Sequence, residues 1–197
     1  MKEYRINEIF YSLQGEGRNT GQAAVFIRFS GCDLHCSFCD TDFTEYTLMS
    51  LDDIVRRLAG FPSPKSTDVA IWCILTGGEP SLQADEELVC CLHQLGYRYR
   101  VAMESNGTHQ PPAGLDWLTV SPKIQPIVEQ CSELKVIFDG KEQPCDFGIK
   151  AKYYYLQPCD TGDREQNQRI VHQCIEYIKQ HPRWQLSLQT HKMVGIA

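Results

Sequence analysis

The sequence predicts an α/β fold, an incomplete (partial) TIM-like barrel of about six to seven mostly parallel strands with three long helices. Three observations predict it. Short apolar runs without strict polar alternation recur along the chain, as in strands covered on both faces. Three longer segments carry helical periodicity with capping residues at their ends. Polar, Gly- or Pro-bearing sequence follows nearly every apolar run, and in parallel α/β architectures such loops share the rim at the carboxyl ends of the strands. About seven strands and three helices fall short of eight βα units. With 197 residues, no repeat and no linker, one domain spanning residues 1–197 is expected.

In order, AVFIRF (24–29) is the first strand, followed by the cysteine-bearing stretch 32–41. SLDDIVRRLAG (50–60) is a helix with Ser50 as its cap, acids in its first turn and Gly60 at its exit. VAIWCIL (69–75) is a strand with TGGEP behind it, and ADEELVCCLHQLG (84–96) is a second helix. YRVAME (99–104) leads into ESNGT, and DWLTV (116–120) into SPK. ELKVIF (133–138) and YYYLQ (153–157) come next, the latter ending in QPCD. DREQNQRIVHQCIEYIKQH (163–181) is the longest helix, stopped by Pro182, and WQLSLQ (184–189) runs into QTHK. Six unusual loops on one rim predict one active site.

Composition narrows the chemistry. Hydrophobic residues at 42% and charged residues at 22% are ordinary for a globular protein. A net charge of −6, with no cluster of Lys and Arg, argues against a nucleic-acid partner and leaves an anionic small molecule as an option. No run approaches the roughly 20 apolar residues of a membrane span, and the first residues mix charges without a signal-peptide pattern. A cytoplasmic protein with no membrane association is the expectation. Ten cysteines in a reducing compartment point to metal binding or buried thiols rather than disulfides. Cys73, Cys90, Cys91, Cys131, Cys145, Cys159 and Cys174 are expected to be core thiols.

Cys32, Cys36 and Cys39 differ: they stand within eight residues in a polar loop, GCDLHCSFCDTDF (31–43). Three thiolates are one short of a closed tetrahedral site. Zinc would draw on Asp33 or His35 as a fourth ligand, since no second CxxC or HxxxH motif lies elsewhere, and it stays open as the alternative. A 4Fe-4S cluster accounts for the odd count, because one iron is then left for a small molecule.

This Cys-x3-Cys-x2-Cys loop after the first strand resembles that of the radical S-adenosylmethionine superfamily, and TGGEP (76–80) resembles its Gly-Gly-Glu motif. Two glycines there would let backbone approach the methionine end of the cofactor. Over its full length the chain further resembles the 7-carboxy-7-deazaguanine synthase family, through SLQGEG, VFIRFSGC, FCDTDF, TGGEPSLQ, ESNGT, SPK, ELKV, QPCD and QTHK in that order. The resemblance implies conversion of 6-carboxy-5,6,7,8-tetrahydropterin to 7-carboxy-7-deazaguanine with loss of ammonia, on the route to queuosine. It implies a carbon–nitrogen lyase with a 4Fe-4S cluster, catalytic S-adenosylmethionine and Mg²⁺, an electron donor such as flavodoxin or ferredoxin, and a homodimer. The electron cleaves S-adenosylmethionine, and the resulting 5′-deoxyadenosyl radical takes a hydrogen from C6 of the pterin.

The resemblance also assigns residues. Cys32, Cys36 and Cys39 would hold the cluster. Phe38, Cys39, Asp40, Gly78, Ser121, Pro122, Lys123, Gln157, Pro158, Cys159 and Asp160 would hold S-adenosylmethionine. Leu13, Gln14 and Gly15 would receive the pterin, Arg28 would pair with its carboxylate, and Thr76 and the terminal Ala197 would add contacts. Thr41 would offer an oxygen to Mg²⁺, its alternative being the cap of a turn. Glu16 and Glu104 either orient the pterin amines or pair with Arg28 or Lys123; His191 either approaches the substrate or lies on the surface. Two competing readings remain: an activating enzyme that places a radical on a partner protein, and a zinc-stabilised binding module without catalysis.

Overall fold

A computed structural model describes residues 2–36, 39, 45–61, 70–95 and 99–196. Nine strands form one open sheet: β1 (Glu3–Leu13), β2 (Ala23–Phe29), β3 (Thr47–Ser50), β4 (Ile71–Gly77), β5 (Tyr99–Ser105), β6 (Trp117–Val120), β7 (Gln130–Phe138), β8 (Lys150–Pro158) and β9 (Gln185–Leu186). Their order is β3-β1-β2-β4-β5-β6-β7-β8-β9. From β2 to β9 every pairing is parallel, while β1 pairs antiparallel with both β2 and β3. The seven expected strands are therefore present, in the mostly parallel, unclosed sheet of a partial barrel. The last shrinks to two residues, and an antiparallel edge of two further strands is added.

Among the described residues there are four α-helices: α1 (Leu51–Ala59), α2 (Glu86–Gln94), α3 (Arg164–Gln180) and the short α4 (Thr190–Val194). Ser50 and Asp53 form a capping box at α1, each side chain bonding the other's backbone N–H. Asp85 and Asp163 cap α2 and α3 in the same sense, accepting from Leu88 N and Gln166 N.

Strand alternation then sorts the residues onto two faces. On the outer face Val25, Ile27 and Phe29 of β2, Cys73 and Leu75 of β4, and Val101 and Met103 of β5 pack against Ile54 and Leu58 of α1 and Leu88 and Leu92 of α2. Leu134, Val136 and Phe138 of β7 and Leu156 of β8 pack against Ile170 and Cys174 of α3. The inner face is apolar at its base, where Ala24, Phe26, Trp72, Ile74 and Ala102 cluster. Two residues nearer the rim it turns polar: Arg28, Thr76, Glu104, Thr119, Lys135 and Gln157 follow on β2, β4, β5, β6, β7 and β8.

The cysteines divide differently from the expectation. Of the seven assigned to the core, Cys73 and Cys174 are buried, whereas Cys90 and Cys145 are exposed and Cys91, Cys131 and Cys159 are partly covered. The reason is position: Cys90 is on the solvent face of α2, and Cys145 follows Pro144 in a surface loop.

Candidate active site

The polar end of the inner face opens into a cavity of about 440 Å³. Its wall gathers Leu13, Gln14 and Gly15 from the end of β1, Arg28 from β2, and Cys32, Cys36 and Cys39 from the loop beyond. Thr76 and Gly78 join from β4, Ser121 and Lys123 from the loop after β6, and Gln157, Pro158, Cys159 and Asp160 from the end of β8. Pro122 lies off this wall and faces an adjoining groove that shares Cys36, Lys123 and Cys159 with the cavity. Phe38, Asp40, Thr41 and Ala197 are outside the described residues.

Gly77 and Gly78 are required for a reason other than access. Gly77 has φ +114, and a Cβ on it would fall 2.3 Å from the Phe29 carbonyl oxygen. A Cβ on Gly78 would fall 2.0 Å from the Gly31 carbonyl oxygen. The two glycines thus let the end of β4 press against the chain entering the cysteine loop, where Gly78 N donates to Phe29 O at 2.9 Å and Glu79 N to Gly31 O at 2.9 Å. The Glu79 side chain is fully buried and points away from the cavity into the end of β5. It accepts from Ser81 N and Oγ, from Ser105 Oγ at 2.8 Å and from Asn106 N at 2.6 Å.

Among the described residues three carboxylates face the cavity, Glu104, Glu16 and Asp160, each held by donors. Glu104 accepts from Gln14 Nε2 at 2.9 Å and Thr76 Oγ1 at 3.2 Å. Glu16 accepts from Gln157 Nε2 and Gln189 Nε2, both at 3.0 Å, and is ion-paired with Lys135. The sequence leaves Glu16 either orienting the pterin amines or pairing with Arg28 or Lys123; its partner is Lys135, whose signal is the E-L-K alternation inside an otherwise apolar strand. Burial alone would raise the Glu16 carboxyl, but the Lys135 ammonium outweighs it and holds the carboxyl well below its ordinary range. Lys135 is correspondingly raised. Burial, reinforced by Lys135, brings Lys123 down to about 8, and its ammonium donates to Ser121 O and Oγ at 2.9 and 2.6 Å. Arg28 reaches the same wall while its Nε stands 2.8 Å from Glu8.

The C-terminal segment completes the wall. Thr190 donates from N and Oγ1 to Gly15 O at 3.0 and 2.8 Å, and a Cβ on Gly15 would meet His191 Nδ1 at 2.1 Å. His191 is therefore a cavity residue packed on the Gly15 backbone. Lys192 donates to Asp160 Oδ2 at 2.9 Å; that bond, with those from Gly162 N and Asn167 Nδ2, lowers Asp160 to about 2. Burial, and then Asp139 and Asp160, push the Cys159 thiol beside it upward.

Among the described residues no three His, Cys, Asp or Glu side chains converge on one point as a mononuclear ion requires. The three loop cysteines instead line a shared wall, the arrangement a multi-iron cluster needs because each thiolate binds a different iron. Soft thiolates beside a cavity with backbone and polar side chains behind it fit a cluster and a polar organic ligand.

Residues 26–123 match the Radical SAM superfamily. The chain is 44% identical to the 7-carboxy-7-deazaguanine synthase of Bacteroides thetaiotaomicron, over 98% of each chain. It is 39% identical to the synthase of that name from Caulobacter vibrioides, over 98% of this chain and 99% of the other. Among solved structures it superposes on QueE from Escherichia coli with a TM-score of 0.71 at 25% identity, covering 94% and 93% of the two chains.

Proposed function

The chain belongs to the 7-carboxy-7-deazaguanine synthase family within the radical SAM superfamily, and on that premise we propose that it converts 6-carboxy-5,6,7,8-tetrahydropterin to 7-carboxy-7-deazaguanine with loss of ammonia. The observation that carries the reading is the convergence of the three loop cysteines, the held carboxylates Glu16, Glu104 and Asp160 and the cations Arg28, Lys123 and Lys135 on one cavity above an apolar floor.

Membership of the superfamily implies a 4Fe-4S cluster and S-adenosylmethionine. Together, when bound, they supply a 5′-deoxyadenosyl radical able to take a hydrogen atom from carbon. Cys32, Cys36 and Cys39 would hold the cluster, and Gly78, Ser121, Lys123, Gln157, Pro158 and Asp160 stand where the cofactor would lie against them. A lysine brought down to about 8 by burial can meet a cofactor carboxylate as an ammonium at neutral pH, at little desolvation cost beyond that already made.

The protein's own part is orientation. Leu13, Gln14 and Gly15 offer a strand-end edge to the planar pterin, with Gln14 fixed by its bond to Glu104. Glu104, already aligned by Gln14 and Thr76, would offer acceptor oxygens to the amine and amide hydrogens of the substrate ring, with Glu16 and its partner Lys135 beside it. Arg28 supplies a planar cation for the substrate carboxylate, exchanging Glu8 for it. Thr76 and the C-terminal segment bearing His191 would cover the ring and exclude water, and Ala197 is a substrate contact by family resemblance alone.

The reading extends to Mg²⁺ with Thr41 as an oxygen ligand. A cavity lined by Glu16, Glu104 and Thr76 suits a hard cation that keeps several waters. It extends also to a low-potential electron donor such as flavodoxin or ferredoxin, a reducing cytoplasmic setting, one domain and a homodimer. The edge strand β3, with Tyr46 and Leu48 exposed, favours a second copy covering that flank. No helix of the described residues is long and apolar enough to cross a membrane.

Anaerobic turnover of the reconstituted protein with Mg²⁺, a strong reductant, S-adenosylmethionine and 6-carboxytetrahydropterin tests the whole reading by mass spectrometry. A product lighter by one ammonia with S-adenosylmethionine largely unconsumed is expected. Accumulation of 5′-deoxyadenosine and methionine without that product would keep the superfamily chemistry and remove the substrate assignment.

A further inference from the structure

Cys32 is flanked on each side by a residue tied to a different strand end. Before it, Gly31 O accepts from Glu79 N at 2.9 Å, which binds the loop to β4. After it, Asp33 Oδ1 accepts from Asn106 Nδ2 at 2.9 Å and Oδ2 from Thr108 Oγ1 at 2.7 Å, which binds the loop to the turn beyond β5. Asn106 is itself anchored, since its N donates to buried Glu79 at 2.6 Å. The Asn106 side-chain oxygen receives Thr108 N at 2.8 Å and stands 2.6 Å from Thr108 Oγ1, so the single hydroxyl proton of Thr108 is shared between Asn106 and Asp33. His109 Nδ1 adds a contact 3.7 Å from Asp33 Oδ2. The Asp33 carboxylate thus turns toward the β5 turn and is engaged on both oxygens, with the Cys32 thiol a further 3.8 Å contact on Oδ1.

We propose that Asp33 is a positioning residue for the iron–sulfur cluster: it locks the first cysteine of the loop to the end of β5 before the metal arrives. The inference rests on the radical SAM reading of this loop. A loop that binds a cluster must give up conformational freedom, and freedom already surrendered in the folded protein need not be given up on binding. Two charge-assisted hydrogen bonds to a carboxylate one residue from a ligand do this at Cys32.

The test compares the reconstituted wild-type protein with Asp33→Ala, Thr108→Val and the double variant. Two readouts are used: the anaerobic half-life of the cluster's visible absorbance against an iron chelator, and the Tm of the cluster-free protein. Asp33→Ala is expected to shorten the half-life about fivefold to tenfold and to lower the cluster-free Tm by at most about 4 °C, because the bonds lost tie down one loop and not the core. Thr108→Val should act in the same direction, and the double variant should be no worse than Asp33→Ala alone, because both remove one clasp. A wild-type half-life in Asp33→Ala, multiplication of the two single effects, or loss of the cooperative unfolding transition of the cluster-free Asp33→Ala protein would each overturn the proposal. A wild-type protein that takes up no iron would instead overturn the cluster reading, and this inference with it.

Discussion

Glu16 and Glu133 both feel the Lys135 ammonium, yet they titrate in opposite senses. Glu133 is nearly sealed from solvent, accepts only from Arg18 N at 2.9 Å on one oxygen, and is pushed by burial up to about 7. Between 4.5 and about 7 the folded state therefore holds a proton that the unfolded chain has released, so stability falls as pH rises through that window. Glu16 runs the other way: its contribution is present above the unfolded value of 4.5 and is lost as pH falls below it. Denaturant unfolding of the cluster-free protein should show both limbs. Glu133→Gln should abolish the decline between 4.5 and about 7, worth at most about 3 kcal/mol, and leave the acid limb in place. An unchanged pH profile in Glu133→Gln would show that the carboxyl is hydrated in solution. Glu16 was visible in the sequence as a site candidate because it sits in SLQGEG. Glu133 and Lys135 were not, because in a strand read as buried on both faces a charged pair two residues apart looks like an interruption rather than a second face.

At the scale of elements, the loops do more for one another than their motifs suggest. TGGEP reads in sequence as a platform for a cofactor, and Gly78 does line the cavity. The constraint on the glycines, however, is the neighbouring chain: a Cβ at Gly78 would lie 2.0 Å and 2.5 Å from Gly31 O and C, both backbone atoms that cannot rotate aside. Gly78→Ala should therefore fold, driven by the intact outer-face core, but displace the cysteine loop. Iron content after reconstitution should fall severalfold while the far-ultraviolet circular dichroism stays that of the wild type; full iron loading would show that the loop can yield. Helices α1, α2 and α3 were legible because caps and 3.6-residue periodicity are local signals. Strands β1 and β3 were not. β1 mixes charged with apolar residues because only Tyr4, Ile6 and Ile9 are buried, and its antiparallel pairing to β2 is decided by long-range contact.

For the molecule as a whole, the open sheet brings its two ends together over the cavity: Thr190, at the carboxyl end of the chain, bonds Gly15 near its start. Removing residues 190–197 takes away these bonds and His191, while Gln189 keeps its bond to Glu16. The truncated protein should load its cluster as the wild type does and show a raised KM for the pterin, roughly tenfold for two lost hydrogen bonds and the packing of His191. Loss of cluster signal on truncation would instead place the segment in fold support. By itself the sequence determined the α/β class, the helices, the cysteine loop and the rim of strand-end loops, since periodicity, capping and ligand spacing are written within a few residues of one another. Tertiary structure alone decided that Lys135 neutralises Glu16, that Glu79 turns from the cavity to hold Ser105 and Asn106, that Asp33 ties the cysteine loop to the β5 turn, and that His191 closes on Gly15. Those partners are separated by 26 to 176 residues along the chain, and which charge meets which donor depends on strand order and register, which no local pattern encodes.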